Sequence, residues 1–584
     1  MQLHPMLLLG MGSFVLTSAA PPPPPAMLKK PVAAKPKGDS PVRCTLEGNT
    51  DRYSGGYSRM VGMAAPPPVP MVAPLPPAPP PPPPPPPGIV SPSVVVTGQS
   101  RAFAAPVYGA ADNTERYNGN AVAGLHAVAD DPVSTFSVDV DTGAYANARR
   151  FLTKGQAVPP EAVRTEEFIN YFRYDYPRPS DSSRPFSITT DMAVTPWNPD
   201  TRLLRIGLRG YDVTSDSRPP ANLVFLVDVS GSMDSPDKLP LVKSALTMLA
   251  DQLTPRDKVS IVVYAGAAGI VLEPTSSKAY IKQALDCLSA GGSTAGGAGI
   301  QLAYDVARAN FIKGGVNRIF LATDGDFNVG VSDNKVLEDM VKKERESGIT
   351  LTTLGFGTGN YNEAMMERIA DVGNGNYAYI DSAMEAQKVL DEQLSATLVT
   401  IAKDVKIQVE FNPNAVSEYR LIGYENRALA DEDFANDRVD AGDIGAGHQV
   451  TAIYEVVPTG GKGWLPPRRY SGNKGPAPVG ADAKEVAFVK LRYKLPDGDT
   501  SRLIEQPVPV ALMAGARAPA GDMAFATAVA AFGQKLRGDK YLGDFGYPDI
   551  AALAGPQQAE WRQEFVRLVK LAQAQLPPKP DAQD

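Results

Sequence analysis

The sequence predicts an α/β protein: a doubly wound, mostly parallel sheet in the middle of the chain, inserted in a β-rich flanking domain, with a proline-rich disordered N-terminus and C-terminal helices. Three observations carry that reading. Asn222 to Met233 reads Asn-Leu-Val-Phe-Leu-Val-Asp-Val-Ser-Gly-Ser-Met, whose apolar run has no polar face, as a central parallel strand covered by helices on both sides requires. From there to about residue 400, strand-like and helix-like segments alternate, the pattern of a doubly wound sheet. Beyond that point apolar residues recur at every second position between Gly- and Asp-rich turns, as antiparallel strands do.

Length and composition set the limits. A chain of 584 residues is too long for a single core. It divides into a signal peptide (1–20), a Pro/Ala-rich spacer (21–115), an N-terminal flank (116–215), the α/β domain (216–400), a β-rich C-terminal flank (401–515) and a helical segment with a tail (516–584). The net charge of −7, with acids and bases mixed along the chain, offers no basic face and argues against nucleic-acid partners. The three histidines, His4, His126 and His448, are too far apart for a zinc site of common spacing. The two cysteines, Cys44 and Cys287, read as a loose thiol and a buried one rather than a disulfide.

Met6 to Ala20 is an apolar core of signal-peptide length ending in small residues, so export to the periplasm or cell envelope is expected. No Lys or Arg precedes that core, and an N-terminus that is not a signal would leave the protein cytoplasmic. No other stretch approaches the length of a membrane span. From Pro21 to about Asn113 the chain is too rich in Pro, Ala, Gly and Ser to bury a core. The run Pro79 to Pro87 alone reaches ~28 Å at about 3.1 Å per residue, which is a spacer.

Order is expected from about Asp131. Ser134 to Val140 alternates as a half-buried strand, and Asp141-Thr142 caps a helix over Ala144 to Leu152. Asp139 and Asp141 therefore read as strand edge and cap rather than metal ligands. A helix over Glu161 to Phe172 and strands over Phe186 to Val194 and Leu203 to Leu208 follow, with Trp197 as core. In the α/β domain, helix Lys238 to Leu253 carries one apolar stripe with Pro240 in its first turn, where a missing amide is harmless. Val259 to Tyr264 and Ile270 to Leu272 flank a Gly-rich link and predict one antiparallel hairpin. The alternation closes with the helix Ala383 to Leu394. Strand Leu203 to Leu208 before the domain and Val405 to Phe411 after it are expected to pair in one accessory sheet. Helices over Asp522 to Leu536 and Ala559 to Gln575 end the chain, and the tail from Pro577 reads as disordered.

Three loops of the α/β domain offer hard oxygen donors at strand ends or helix starts: Asp228-x-Ser230-x-Ser232, Thr294 in a Gly-rich loop, and Asp324. Together they predict a cation site. Mg2+ suits it, because a small dication takes octahedral oxygens and keeps waters where few carboxylates are offered; Mn2+ or Ca2+ could replace it. Two hydroxyl ligands leave the ion under-neutralised, so a carboxylate from another molecule can complete its shell.

Asp-Val-Ser-Gly-Ser-Met after an apolar strand, Thr294 in its Gly-rich loop, and Thr323-Asp324-Gly325 after a later strand resemble the metal-ion-dependent adhesion site of the von Willebrand factor type A domain, over about Pro219 to Leu398. The resemblance implies that Ser230, Ser232 and Thr294 lie at or near the metal, while Asp228 and Asp324 hold it mostly through water. It also implies a non-enzymatic protein that binds a protein ligand offering an acidic residue. Ser134 to Tyr145, Ala402 to Pro413 and Tyr419 to Arg427 look like the flanks of exported bacterial type A domain proteins. Many of those are lipoproteins, but here no cysteine closely follows the apolar N-terminus and Cys44 lacks a lipobox, so membrane association stays open. A second class, implied by the same resemblance, is a subunit of a chaperone or of a metal- or cofactor-insertion machine driven by a partner AAA+ ATPase.

Other chemistries fit less well. Ser230 stands where a haloacid-dehalogenase-type motif needs its acid/base. No Gly-x-x-x-x-Gly-Lys-Ser/Thr occurs, and Gly355-Phe-Gly-Thr-Gly misplaces the third glycine of a dinucleotide fingerprint. Ser230 also lacks the Gly-x-Ser-x-Gly setting of a hydrolase nucleophile.

Overall fold

The structure, a computed structural model, describes residues 41–44, 115–117, 119–179, 183–214, 216–292, 296–325, 334–392, 396, 398–466 and 484–575. The expected signal peptide, nearly all of the spacer, Thr294 and the C-terminal tail lie outside them.

The N-terminal flank supplies β1 (His126–Ala127), β2 (Val133–Ser137), α1 (Gly143–Thr153), α2 (Thr165–Tyr171), β3 (Phe186–Thr195) and β4 (Asn198–Gly210). The α/β domain then runs β5 (Ala221–Asp228), α3 (Leu239–Gln252), β6 (Lys258–Tyr264), β7 (Ala268–Thr275), α4 (Lys278–Asp286), α5 (Gly296–Ala309), β8 (Val316–Thr323), α6 (Asn334–Glu346), β9 (Thr350–Phe356), α7 (Glu363–Val372), β10 (Tyr377–Ile380) and α8 (Ala383–Gln387). Its six strands form one sheet in the order β10-β9-β8-β5-β6-β7. Every pair is parallel except the β6–β7 hairpin. All eight residues of β5 are buried. Leu223, Phe225 and Val227 pack with α3, α4 and α8, whereas Val224 and Leu226 pack with α5 and α6. Each of these side chains contributes about 1.5–3 kcal/mol by leaving water, which is why the strand carries no polar residue before its end.

After the α/β domain come β11 (Thr400–Phe411), β12 (Val416–Ile422), β13 (Gly442–Gly445), β14 (Gln449–Pro458), β15 (Glu485–Lys494) and β16 (Ser501–Pro509). They complete two further sheets, β1-β12-β14-β4-β3 and β13-β11-β15-β16, with β2 added on β11. The expected pairing of Leu203–Leu208 with Val405–Phe411 is therefore corrected. β4 is occupied by β3 and β14, and β11 by β2, β13 and β15, so the two strands lie in separate sheets. They meet face to face instead: Leu204, Ile206 and Leu208 share one core with Val405, Ile407 and Val409. The flanks still form one β-sandwich interrupted by the α/β domain, because strands from both sides of the insertion build each sheet.

Helices α9 (Gly521–Arg537), α10 (Tyr547–Ala554) and α11 (Glu560–Ala574) pack on α1 and α2 in a further core, where Phe172 makes edge-to-face contacts with Phe525 and Phe565. The sequence-based helix over Glu161 to Phe172 shrinks to a 3-10 turn, Pro160–Ala162, and α2, and the one over Ala383 to Leu394 continues as a π-turn, Lys388–Glu392. Strands β12 and β13 and helix α10 were not anticipated.

The capping role expected of Asp141 is also corrected. Thr142 precedes α1 without any side-chain cap. Asp141 instead accepts a hydrogen bond from the Tyr377 amide of β10 at 2.9 Å, and Asp139 accepts one from the Asp141 amide at 2.9 Å. Both acids face Arg427 at 3.2 Å. Buried carboxylates need charged partners, and this pairing belongs to an ionic seam between the flanks and the α/β domain. In the same seam, Arg164 bonds Glu367 at 2.6 Å and lies 3.0 Å from Glu363. Arg149 of α1 reaches Asp381 and Glu385 of the α/β domain and Glu564 of α11. Removing Arg164 leaves fully buried Glu363 and Glu167 without their guanidinium. Arg164→Met is expected to cost about 3–5 kcal/mol, read as a lower urea midpoint at pH 7; an unchanged midpoint would mean that the seam does not hold the domains.

The cysteine expectation is overturned as well: Cys44 and Cys287 form a disulfide, with Cα atoms 5.7 Å apart. Local pairing brings them together. Val42 bridges Leu272 of the β7 edge antiparallel, the Arg43 amide donates to the Val271 carbonyl at 2.8 Å, and the Glu273 amide donates to Pro41 at 3.2 Å. That short strap sets Cys44 against the C-terminal end of α4. Because the bridge closes a loop across 243 residues, it is expected to stabilise the fold by about 2–4 kcal/mol. Replacing both cysteines by serine should lower the melting temperature by several degrees, and a melting curve that does not move would show that the strap is energetically idle.

Candidate metal centre

The chain leaves β5 for β6 on one side of it and returns through β8 on the other. The crevice between the carboxyl ends of β5 and β8 is thus the topological switch point, where open α/β sheets receive ligands. The register puts Val227 opposite Ala322, so Asp228, the last residue of β5, and Asp324, just past β8, flank that crevice. Both are fully buried. Ser230 and Ser232 lie on the turn that follows β5, with Ser230 buried and Ser232 exposed, and their hydroxyls are 3.0 Å apart. Of the five residues singled out in the sequence, four are therefore gathered at the carboxyl ends of β5 and β8. Thr294 is outside the described residues, but the start of its loop is docked on the serine turn: the Gly231 amide donates to the Gly292 carbonyl at 3.0 Å, and the Gly291 amide to the Val229 carbonyl at 2.8 Å.

The two carboxylates differ in their partners. Asp228 accepts from the Ser230 amide at 2.9 Å and the Thr323 hydroxyl at 3.1 Å. Among the described residues no ammonium or guanidinium pairs with it. Burial, with the charge of Asp324 adding to it, pushes its carboxyl up to about 6 despite these hydrogen bonds. For Asp324 burial also raises the carboxyl, but the Lys238 ammonium 2.9 Å away, together with hydrogen bonds from Ser232 and Asn360, outweighs it and holds it below the usual carboxylate range. Gly325, at φ +89°, lets the chain turn there, since a Cβ would lie 2.4 Å from the Asn362 amide nitrogen.

Lys238 and Asn360 are the site residues that sequence reasoning missed. The Lys238 ammonium also donates to the Asn360 side-chain oxygen at 3.1 Å. Its one legible signal is Gly357, in the Gly-Phe-Gly-Thr-Gly run: φ is +73° there, and a Cβ would fall 2.3 Å from the lysine stem. The flank steadies that loop, as Glu115 accepts from the Gly359 amide at 2.9 Å and the Arg116 amide donates to Tyr361 at 2.9 Å.

Among the described residues no three His, Cys, Asp or Glu side chains are grouped so as to hold a metal by themselves. A cation at this crevice must take hydroxyls and water beside one or two carboxylates, and the donors present fit a hard divalent ion of the Mg2+ type. The raised carboxyl of Asp228 agrees with that: a buried acid without a cationic neighbour is stabilised by a bound dication.

A six-stranded switch-point sheet with this acid, Ser-x-Ser turn and second acid defines a von Willebrand factor type A domain. The family model described as von Willebrand factor type A domain matches residues 222–393, another described as von Willebrand factor matches 111–205, and a third described as "Uncharacterized protein YfbK, C-terminal" matches 396–575. Protein YfbK of Escherichia coli (strain K12) is 50% identical over 457 residues, 76% of this chain and 79% of its own length, and the chain belongs to the type A domain family that YfbK represents. Protein sll0103 of Synechocystis is 35% identical over 187 residues, 32% of this chain and 43% of its own. The solved type A structure from Catenulispora acidiphila is 18% identical, covers 61% of this chain and 80% of its own, and superposes with a TM-score of 0.35, too low to bear on the reading.

The carboxyl of Asp228 sets a pH test. Its raised folded value means that the metal-free fold loses stability as pH rises from about 4 through about 6, where the folded acid ionises at a cost the unfolded chain does not meet. Asp228→Asn removes that cost while keeping the shape. In EDTA the variant should equal or exceed the wild type in urea stability at pH 7, and the gap should close by pH 4. A variant clearly less stable at pH 7 would contradict the assignment of Asp228 as an uncompensated buried acid.

Proposed function

We propose that this is a non-enzymatic, metal-dependent protein-binding protein of the bacterial cell envelope, which holds a divalent ion, Mg2+ by preference, between Asp228, Asp324 and the serine turn and uses it to capture an acidic residue of a protein partner. The observation that carries the reading is the unequal pair at the switch point: Asp324 has a lysine, whereas Asp228 is buried with hydrogen-bond donors only. The resident ion would supply a positive point with replaceable waters. This chain's residues would orient it.

Export is supported by the Cys44–Cys287 bridge, since disulfides persist in oxidising compartments and are rare in the cytosol. Such a location favours envelope binding over service with a cytoplasmic AAA+ ATPase. The proline-rich spacer would then give the binding domain reach from its exit point.

The test uses the full chain expressed in its host. Alkylation of thiols at lysis should leave Cys44 and Cys287 unlabelled unless a reductant is added first, and envelope extracts should yield a partner retained in Mg2+ but released by EDTA and absent with Asp228→Asn. Free thiols in the cell would refute export. A partner held equally in Mg2+ and EDTA would refute metal-dependent capture.

A further inference from the structure

Lys238 is not placed as an ordinary surface lysine. It precedes α3, where its amide donates to the Ser235 carbonyl at 3.0 Å and its carbonyl accepts from the Val242 amide at 2.9 Å, so its backbone is fixed at the helix entrance. Its side chain is nine-tenths buried, lies across the bare Cα of Gly357, and ends between Asp324 and Asn360 at 2.9 and 3.1 Å. A glycine in the left-handed region and an asparagine from the loop after β9 together make a slot for a long side chain carrying a single positive charge. A slot built for one cation beside a second cation's binding place is costly, because like charges near one another in a buried site repel strongly. The arrangement needs a return.

We infer that Lys238 sets the charge of the loaded site, so that the metal-bound crevice carries a net positive charge and binds a carboxylate from outside. This rests on the metal-dependent reading above. Among the described residues of the crevice, Asp228 and Asp324 bring two negative charges and Lys238 one positive. A dication added to these leaves one positive charge over, whereas the same site without the lysine would be neutral. The lysine thus weakens the metal's hold and strengthens the anion's, so the ion is held best when a partner's carboxylate completes the site. Of the other acids on this turn, Asp234 is exposed at the rim and Asp237 is engaged by the Ser235 hydroxyl at 2.6 Å. Solvent screens the former far more than the buried ammonium. Lys238 is a positioning residue here, since it acts on ligands through Asp324 and through charge.

The inference is tested on the full chain with Lys238→Met, which keeps the stem over Gly357, and with Lys238→Gln, which also keeps a hydrogen bond to Asp324. Circular dichroism checks the fold of each. Mg2+ affinity is measured by calorimetry, and acetate serves as carboxylate probe on the Mg2+-loaded protein. Both variants should bind Mg2+ at least threefold tighter than the wild type and acetate at least threefold more weakly. A lysine that merely orients Asp324 would give weaker Mg2+ binding in the variants, and equal Mg2+ affinity or unchanged acetate binding would likewise overturn the inference while leaving the metal site standing. A wild type that binds no Mg2+ would overturn the metal-dependent reading itself, and this inference with it.

Discussion

The structure depends on one strand being buried on both faces. β5 is covered by α3, α4 and α8 on one side and by α5 and α6 on the other, and only apolar side chains can occupy such a strand without unmet polar groups. Its polar chemistry is therefore displaced to its carboxyl end. Because the chain departs from β5 in both directions across the sheet, that end opens at the switch point, and Asp228 meets Asp324 there. The site is a consequence of where the burial stops.

The second constraint is electrostatic. The α/β domain is not free at the end of its flanks: Arg149, Arg164 and Arg427 cross from the flanks to its buried acids. Buried ion pairs add little net stability compared with apolar packing, but breaking one is expensive. Such a seam fixes the orientation of the two parts more than it glues them. The flank segment Glu115–Arg116 extends that control to the loop carrying Asn360, so the crevice is held in shape by residues far away in sequence. The β7 edge, which would otherwise be open to pairing with other chains, is covered at Leu272 by the strap around Val42.

Much of this was legible in the residues themselves. The uniform apolar run of Leu223 to Val227 announced a central strand, the 3.6-residue stripes announced helices on both faces, and the Gly-rich link after Tyr264 announced the hairpin, since these are local patterns that burial imposes directly. The acid and serines after β5 and the acid after β8 were legible for the same reason: polar residues cluster where an apolar strand ends. Only the tertiary structure decided what joins distant parts. Leu203–Leu208 and Val405–Phe411 have the alternation of sheet strands, but which strand each meets depends on competition for edges, and β2 and β14 won them. Asp141 reads locally as a cap, yet it faces Arg427 because the packing of β10 against α1 leaves its charge buried. Cys44 and Cys287 sit 243 residues apart, and nothing in composition predicts that the segment around Val42 will pair with β7 and bring them together. Lys238 belongs to the same class: its position ahead of α3 is written in the sequence, but its charge reaches the crevice only because Gly357, brought alongside by the parallel pairing of β8 and β9, leaves room for its stem.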